Sequence, residues 1–492
     1  MAIQTRGAQA VNFVSLPFIF FFFTVFVLFY SLPARYRMPL LLIASYFFYA
    51  TWSIPFITVI LLTTTTDYWM SQIIHKSANL SQRKLALTAG LTINLLLLAF
   101  FKYTNFLLDT SHGLAHWLGY SLPLPHVLQI LLPLGISFYT FEAISYMVDV
   151  YRGKAPSPNW LAYNFYIMYF PHLISGPIVR FVELFPQYEQ PLKRPSLERM
   201  AKGFELMILG FGFKILLADA VAPLADTVFQ DPGHASVIAS YIAALAFTVQ
   251  IYFDFMGYTH IARGASLLFN IEMPVNFNHP YGASTISQFW ERWHMSLSRW
   301  IRDYLYFPLG GSRGKLIATL CNLMITMLIC GAWHGAGWTY ILWGGYHGAL
   351  LAGYHLYKHL KIKYLQGWES WLTHPLYTVM ATTLTFCTVV VGWVLFRAPN
   401  LQNAGQVLNR LTNWQALGNE LVTMLSTRHL SNLGTLLFLL TCCFIGPWAI
   451  QWLASLYRPL PYWAKVQVAC GLALLCWILT ASGNHPFIYF QF

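Results

Sequence analysis

Residues 85–101 read LALTAGLTINLLLLAFF, seventeen positions without a charged side chain. A helix crosses the hydrocarbon core of a bilayer with roughly 20 mostly apolar residues. The run has no period-2 alternation, so it is not the strand of a barrel, and inside lipid the alternative that satisfies its own backbone is a helix. Val11–Tyr30, Ala235–Phe255, Tyr377–Phe396 and Leu433–Leu453 are runs of the same kind. Of the 492 residues, 57% are hydrophobic and 9% charged, against roughly a quarter charged in soluble chains. There is too little polar surface here to cover the chain in water. The fold expected is an all-α polytopic integral membrane protein, one membrane-embedded domain over residues 1–492. About 11–12 transmembrane helices are expected, with re-entrant and amphipathic helices between them.

The formal charge is +12, but the basic residues are scattered through short loops between apolar runs, which argues against a nucleic-acid partner. With each long run crossing once, about 23 of the 29 Lys and Arg fall on one side, the cytoplasmic one. Residues 104–126 and 222–234 carry no Lys or Arg and fall opposite. The first run lacks a clean small-residue cleavage site after it and is read as a retained helix with an external amino terminus. The seven Cys form no CxxC pair and lie in apolar stretches, as fillers between helices rather than metal ligands or redox groups.

Two stretches do not read as simple crossings. Tyr163–Ile178 is interrupted by Pro171, Gly176 and Pro177 and flanked by basic residues, which fits a re-entrant segment buried in protein or lining a cavity. In Gln288–Leu305, Phe289, Trp290, Trp293, Leu297, Trp300, Ile301 and Tyr304 share one face of a helical wheel. Glu291, Arg292, Arg299, Arg302 and Asp303 share the other. That pattern predicts one or two amphipathic helices at the cytoplasmic boundary, with His294 turned inward.

Ionisable groups at membrane depth are functional candidates because they are expensive to bury. His294 in Trp-His-Met-Ser, His334 in Trp-His-Gly-Ala-Gly-Trp and His347 in Gly-Tyr-His-Gly stand out. A neutral imidazole can accept a proton from a hydroxyl near pH 7. Gly335 and Gly337 remove bulk beside His334, so that a substrate or another backbone can approach. The competing reading is a hydrogen-bonded packing histidine, and with sixteen His in the chain most must be that. His347 is balanced between the two, since it falls near the aqueous end of its span. Glu142, Asp149, Glu205, Lys214, Asp219 and Asp254 also lie in or beside apolar segments and read as satisfied polar groups of the bundle.

No HExxH, GxSxG or GxGxxG motif occurs. Gly310-Gly311-Ser312-Arg313-Gly314-Lys315 lacks the Walker spacing and reads as a cytosolic turn. Its sharper reading is that Arg302, Arg313 and Lys315 attract a phosphorylated donor such as coenzyme A.

Residues 276–315, NFNHPYGASTISQFWERWHMSLSRWIRDYLYFPLGGSRGK, and 322–347, NLMITMLICGAWHGAGWTYILWGGYH, resemble the two signature regions of the membrane-bound O-acyltransferase (MBOAT) superfamily. The similarity is greatest to its bacterial alginate O-acetylation branch. Residues 135–141, 146–151, 170–180, 250–258, 393–398 and 486–492 extend the resemblance from about residue 130 to the end. One departure is Thr259-His260, where that branch has a Ser-Asp pair; it bears on the donor site and not on membership. The resemblance implies a ring of helices around a thin core with a central tunnel. It implies a catalytic His334 and, in His294, the second signature residue. It also implies a separate extracytoplasmic esterase-like transferase as partner.

The function expected is acetyl transfer from cytosolic acetyl-coenzyme A across a bacterial cytoplasmic (inner) membrane, for O-acetylation of an extracytoplasmic polysaccharide. His334 would act as general base on the acceptor hydroxyl or accept the acetyl group transiently, and His294 would orient the donor thioester or stabilise developing charge. Arg302, Arg313, Lys315, Trp333 and His347 are candidate substrate-binding residues. No metal and no tightly bound cofactor are expected. Two readings stand beside it: a D-alanyl or longer-chain acyltransferase of the same fold, and a transporter or channel without chemistry, which would call for internal repeats that the sequence lacks.

Overall fold

The structure, a computed structural model, describes residues 12–121, 128, 130–174, 176–364, 374–426 and 431–457. It also describes 459–461, 464–465, 467–468, 471 and 487–488. The described residues are helical or irregular, with no strand among them. Among the described residues five helices are long and apolar enough to cross a membrane: Leu80–Trp117, Leu197–Gln230, Val237–Leu268, Leu316–His334 and Pro375–Arg397. Leu16–Ser31 and Ser431–Phe444 are shorter apolar helices. The chain is thus a polytopic helical membrane protein.

The Leu80–Trp117 helix shows why these segments suit lipid. Its buried face, Ala86, Gly90, Asn94 and Leu98, recurs every fourth residue and is mostly small or polar. Leu85, Leu96 and Phe100 stand exposed on it. Small residues let helices approach closely in a bilayer, where large apolar side chains gain nothing by leaving the lipid. The Leu433–Leu453 run falls on two helices, Ser431–Phe444 and Gly446–Tyr457, with the single residue Ile445 between them.

The chain divides into two compact units, residues 1–209 with 258–274, and residues 210–257 with 275–492. In the first, Asp67 is buried and accepts hydrogen bonds from Asn94 Nδ2 at 2.7 Å and the Tyr163 hydroxyl at 3.3 Å. The Tyr163–Ile178 region holds two short helices, Trp160–Met168 and Phe170–Leu173, separated at Tyr169. Nine residues rise about 14 Å, less than half the hydrocarbon core, so this stretch is no crossing. Its His172 Nδ1 lies 3.0 Å from the buried carboxylate of Glu142, which also accepts from the Val179 amide at 3.3 Å. Gly135, at φ 74°, passes against the Leu173 carbonyl where a Cβ would collide.

In the second unit a π-helical turn, Phe213–Asp219, carries the buried Lys214. Its ammonium donates to Asp219 Oδ1 at 2.6 Å and meets Asp254 Oδ1 at 3.0 Å. Asp254 Oδ2 accepts the backbone amide of Ile488 at 2.8 Å. These are three of the intramembrane charges that sequence could not pair, and together they satisfy one another. The amino end of the Val237–Leu268 helix is capped from afar: the Glu420 carboxylate accepts the amides of Val237 and Ile238, each at 2.9 Å. That places an anion on the positive end of the helix.

Candidate active site

All seven residues singled out for chemistry belong to the second unit, and the structure divides them into a buried histidine group and an exposed basic turn.

The amphipathic stretch folds as two helices, Ile286–Arg292 and Met295–Ile301, followed by a π turn, Arg302–Tyr306. The break falls at His294, whose backbone is left-handed at φ 42° and ψ 55°. A non-glycine residue holds that conformation at a cost of about 1–3 kcal/mol, and such strain collects at functional sites. Asn276 supports the turn: its carbonyl accepts the Met295 amide at 2.9 Å, and its side-chain oxygen accepts the Ser296 amide at 3.1 Å. The His294 imidazole is fully buried. The Phe255 ring meets it edge-on, centroids 4.7 Å apart. Neither ring nitrogen has a hydrogen-bond partner among the described residues. Burial pushes the imidazole pKa down to about 3, so the ring is neutral at pH 7, with one donor and one acceptor to offer.

His334 closes the Leu316–His334 helix, and Trp338–Tyr364 follows after three residues. The two helices touch backbone to backbone. A Cβ on Gly331 would overlap the Tyr340 carbonyl and stand 3.0 Å from the Gly344 Cα. That crossing fixes His334, less than one turn beyond Gly331, against Trp343. Three aromatic rings meet the His334 imidazole edge to face: Trp333 at 4.9 Å, Trp343 at 5.0 Å and Phe396 at 5.3 Å between centroids. Trp333 also reaches His294, at 6.5 Å. One indole therefore borders both signature imidazoles. Gly335 proves to be small for Tyr340, whose ring fills the place a Cβ would take. A substrate is not needed to explain that glycine.

His347, expected near water, is fully buried. It packs against Trp343 at 4.9 Å, Trp290 at 5.3 Å and Phe289 at 6.3 Å. Its Nε2 faces Gly392, where a Cβ would come within 2.6 Å. Neither of its nitrogens has a partner among the described residues. It touches the His334 group through Trp343.

The basic residues lie apart from this group. Arg302 is exposed and holds Asp303, Nε to Oδ1 at 2.8 Å, so its charge is already answered. Arg313 and Lys315 are exposed on the turn that follows. That turn is shaped by Gly310 at φ 110° and Gly311 at φ 59°, by Tyr306 on Ser312 at 2.8 Å, and by Asn322 Nδ2 donating to the Gly311 carbonyl at 3.1 Å. No cluster of three potential metal ligands occurs among the described residues.

Sequence reading passed over Asn276, Phe255, Trp343, Phe396 and Gly392 as parts of this site. Trp343 had a signal, since it stands four residues before His347 on one helix face. The others come from segments far away along the chain.

The family model for MBOAT, the membrane-bound O-acyltransferase family, matches residues 86–388. The "Probable alginate O-acetylase AlgI" of Azotobacter vinelandii is 40% identical over 440 residues, covering 88% of this chain and 84% of that protein. The protein of the same name from Pseudomonas putida is 37% identical, over 96% of this chain and 99% of its own length. A "Peptidoglycan O-acetyltransferase" of Helicobacter pylori is 32% identical over 96% of each. A match across more than half of the chain, with relatives similar over nearly their whole length, meets the same signature segments that form the histidine group, and the chain belongs to the membrane-bound O-acyltransferase family.

Proposed function

We propose that this protein takes an acetyl group from acetyl-coenzyme A on the cytoplasmic side of a bacterial inner membrane and delivers it to a hydroxyl of an extracytoplasmic polysaccharide, directly or through an esterase-like partner. The observation that carries the reading is that His334 and His294, both buried, each meet the Trp333 indole. Esterification of a hydroxyl by a thioester needs a base that is uncharged before it acts and that can give the proton up again. His334 takes the hydroxyl proton as the oxygen attacks the thioester carbonyl. The new C–O bond replaces the C–S bond, and the proton ends on the departing sulfur as a free thiol. Such general-base help supplies about 10²–10⁴-fold in rate. His294, neutral and strained into place, holds the donor carbonyl. Arg313 and Lys315 offer the cationic surface on which donor phosphates would rest; Arg302, held by Asp303, has the weaker claim.

The relatives' names point to two acceptors, alginate and peptidoglycan, and both are polymers bearing sugar hydroxyls. The test is to incubate the purified protein in nanodiscs with acetyl-labelled acetyl-coenzyme A and follow thiol release and label transfer. The reading expects turnover by the wild type and none by a well-inserted His334→Ala variant. Equal turnover by the two would remove His334 from the reaction.

A further inference from the structure

We infer that Trp343 and Phe396 form a wall that sets the length of acyl group accepted beside His334, favouring short acyl groups over longer ones. The inference rests on the proposed acyl-transfer function and adds which residues enforce its substrate class. Both rings are almost completely buried and meet the imidazole edge-on at 5.0 and 5.3 Å, with Trp333 completing the enclosure at 4.9 Å.

The wall is also braced from behind. The Trp343 indole packs on Trp393, nearly parallel at 6.2 Å, on Trp290 at 5.7 Å and on His347 at 4.9 Å. Phe396 packs on Tyr340 at 5.2 Å and on Trp393 at 5.7 Å. The backbone cannot retreat either, because Gly344, the residue after Trp343, is already against the Met327 carbonyl. Behind that layer, Gly392 lets His347 come so close that no slack is left. A longer acyl chain on an oxygen or sulfur at His334 would have to displace an indole held by three other rings. Interiors packed at this density do not yield gradually. Purely structural packing would ask only for apolar filling here. Here the indole of Trp343, one of the largest fully buried side chains, stands edge-on to the imidazole on which the proposed chemistry turns.

The consequence is a change of specificity rather than a loss of function. A single mismatched methylene in an apolar pocket is worth roughly 10–200-fold in kcat/KM. Wild type, Trp343→Ala, Phe396→Leu and His334→Ala proteins in nanodiscs would be given acetyl-, propionyl- and butyryl-coenzyme A, with thiol release as the readout. For the wild type we expect acetyl to exceed butyryl by at least tenfold. For Trp343→Ala the butyryl-to-acetyl ratio should rise at least tenfold, and for Phe396→Leu it should rise less. Variants whose ratios match the wild type, whether their overall rates fall or not, overturn the inference. So do variants that insert at normal levels but are inactive with every donor, because a wall must be separable from the chemistry. Failure of the wild type itself to turn over any of the three, with His334→Ala no different, would overturn the acyl-transfer reading and the wall with it.

Discussion

Replacing Gly331 by alanine tests the claim that a helix crossing positions the His334 imidazole. The added Cβ would stand 3.0 Å from the Gly344 Cα and overlap the Tyr340 carbonyl. Carbon atoms rest about 3.5–4.0 Å apart, so the Gly344 contact alone asks the two helices to part by about 0.5–1 Å, and the overlap with the Tyr340 carbonyl asks for more. Overpacking of this kind costs about 1–3 kcal/mol, and alanine returns about 0.5–1 kcal/mol through its better helix propensity. The net loss of about 0–2.5 kcal/mol is smaller than the usual stability of a folded protein, about 5–15 kcal/mol, so Gly331→Ala should still insert and fold. Activity is more sensitive, because a misplacement of about 1 Å costs on the order of 10²-fold in rate. Gly353 is the internal control. It lies on the facing helix, Trp338–Tyr364, with nothing within 4 Å of an added Cβ, and Gly353→Ala should be neutral or stabilising by about 0.5–1 kcal/mol. The assay pairs thiol release from acetyl-coenzyme A with thermal unfolding of both variants in nanodiscs. A Gly331→Ala protein of near wild-type turnover would refute the reasoning.

Three further outcomes are expected. His334→Ala, and His334→Gln, should abolish O-acylation of the host polysaccharide at normal protein levels; a well-produced His334→Ala protein that still acylates would shift the chemistry to His294 or His347. Lys214→Met should cost about 3–5 kcal/mol, the penalty for stranding a buried partner charge, read as a lower midpoint of thermal unfolding. Adding Asp254→Asn to it should recover part of that loss, and no recovery would mean that the carboxylate is not what the lysine neutralises. Single cysteines at positions 79, 196 and 314, in a background without the native cysteines, should react with an impermeant thiol reagent only when the cytoplasmic face is open. Labelling from outside intact cells would invert the topology.

How far the sequence could be read depends on the range of the forces involved. Residues 85–101 and 377–396 fall inside the observed helices Leu80–Trp117 and Pro375–Arg397 because a long apolar run in lipid has no other way to satisfy its backbone. The same hydropathy hid the break at Ile445, since an interrupted run is as apolar as a continuous one. The wheel over Gln288–Leu305 placed His294 on an inward edge, and it is buried. Its left-handed kink was not visible there, for the apolar period continues through the break and the support comes from Asn276, far back in the chain. Lys214, Asp219 and Asp254 were each recognisable as costly, but their partnership depends on which helices meet. Trp343 and Phe396 were unremarkable among 85 aromatic residues, 18 Trp, 29 Tyr and 38 Phe. Only the Gly331–Gly344 contact brings Trp343 up to His334.

The hydrogen bond from Ile488 to Asp254 spans 234 residues of chain, and that separation bears on how the protein is made. At about 5–20 residues per second, the ribosome takes on the order of ten to fifty seconds to travel from one partner to the other. Throughout that interval Lys214 and Asp254 have already been synthesised, while one carboxylate oxygen lacks its native donor. The amide that fills this acceptor therefore arrives long after the ion pair it completes. A nascent chain stalled before Ile488 would keep an unfilled acceptor beside its buried ion pair, marking it as incomplete.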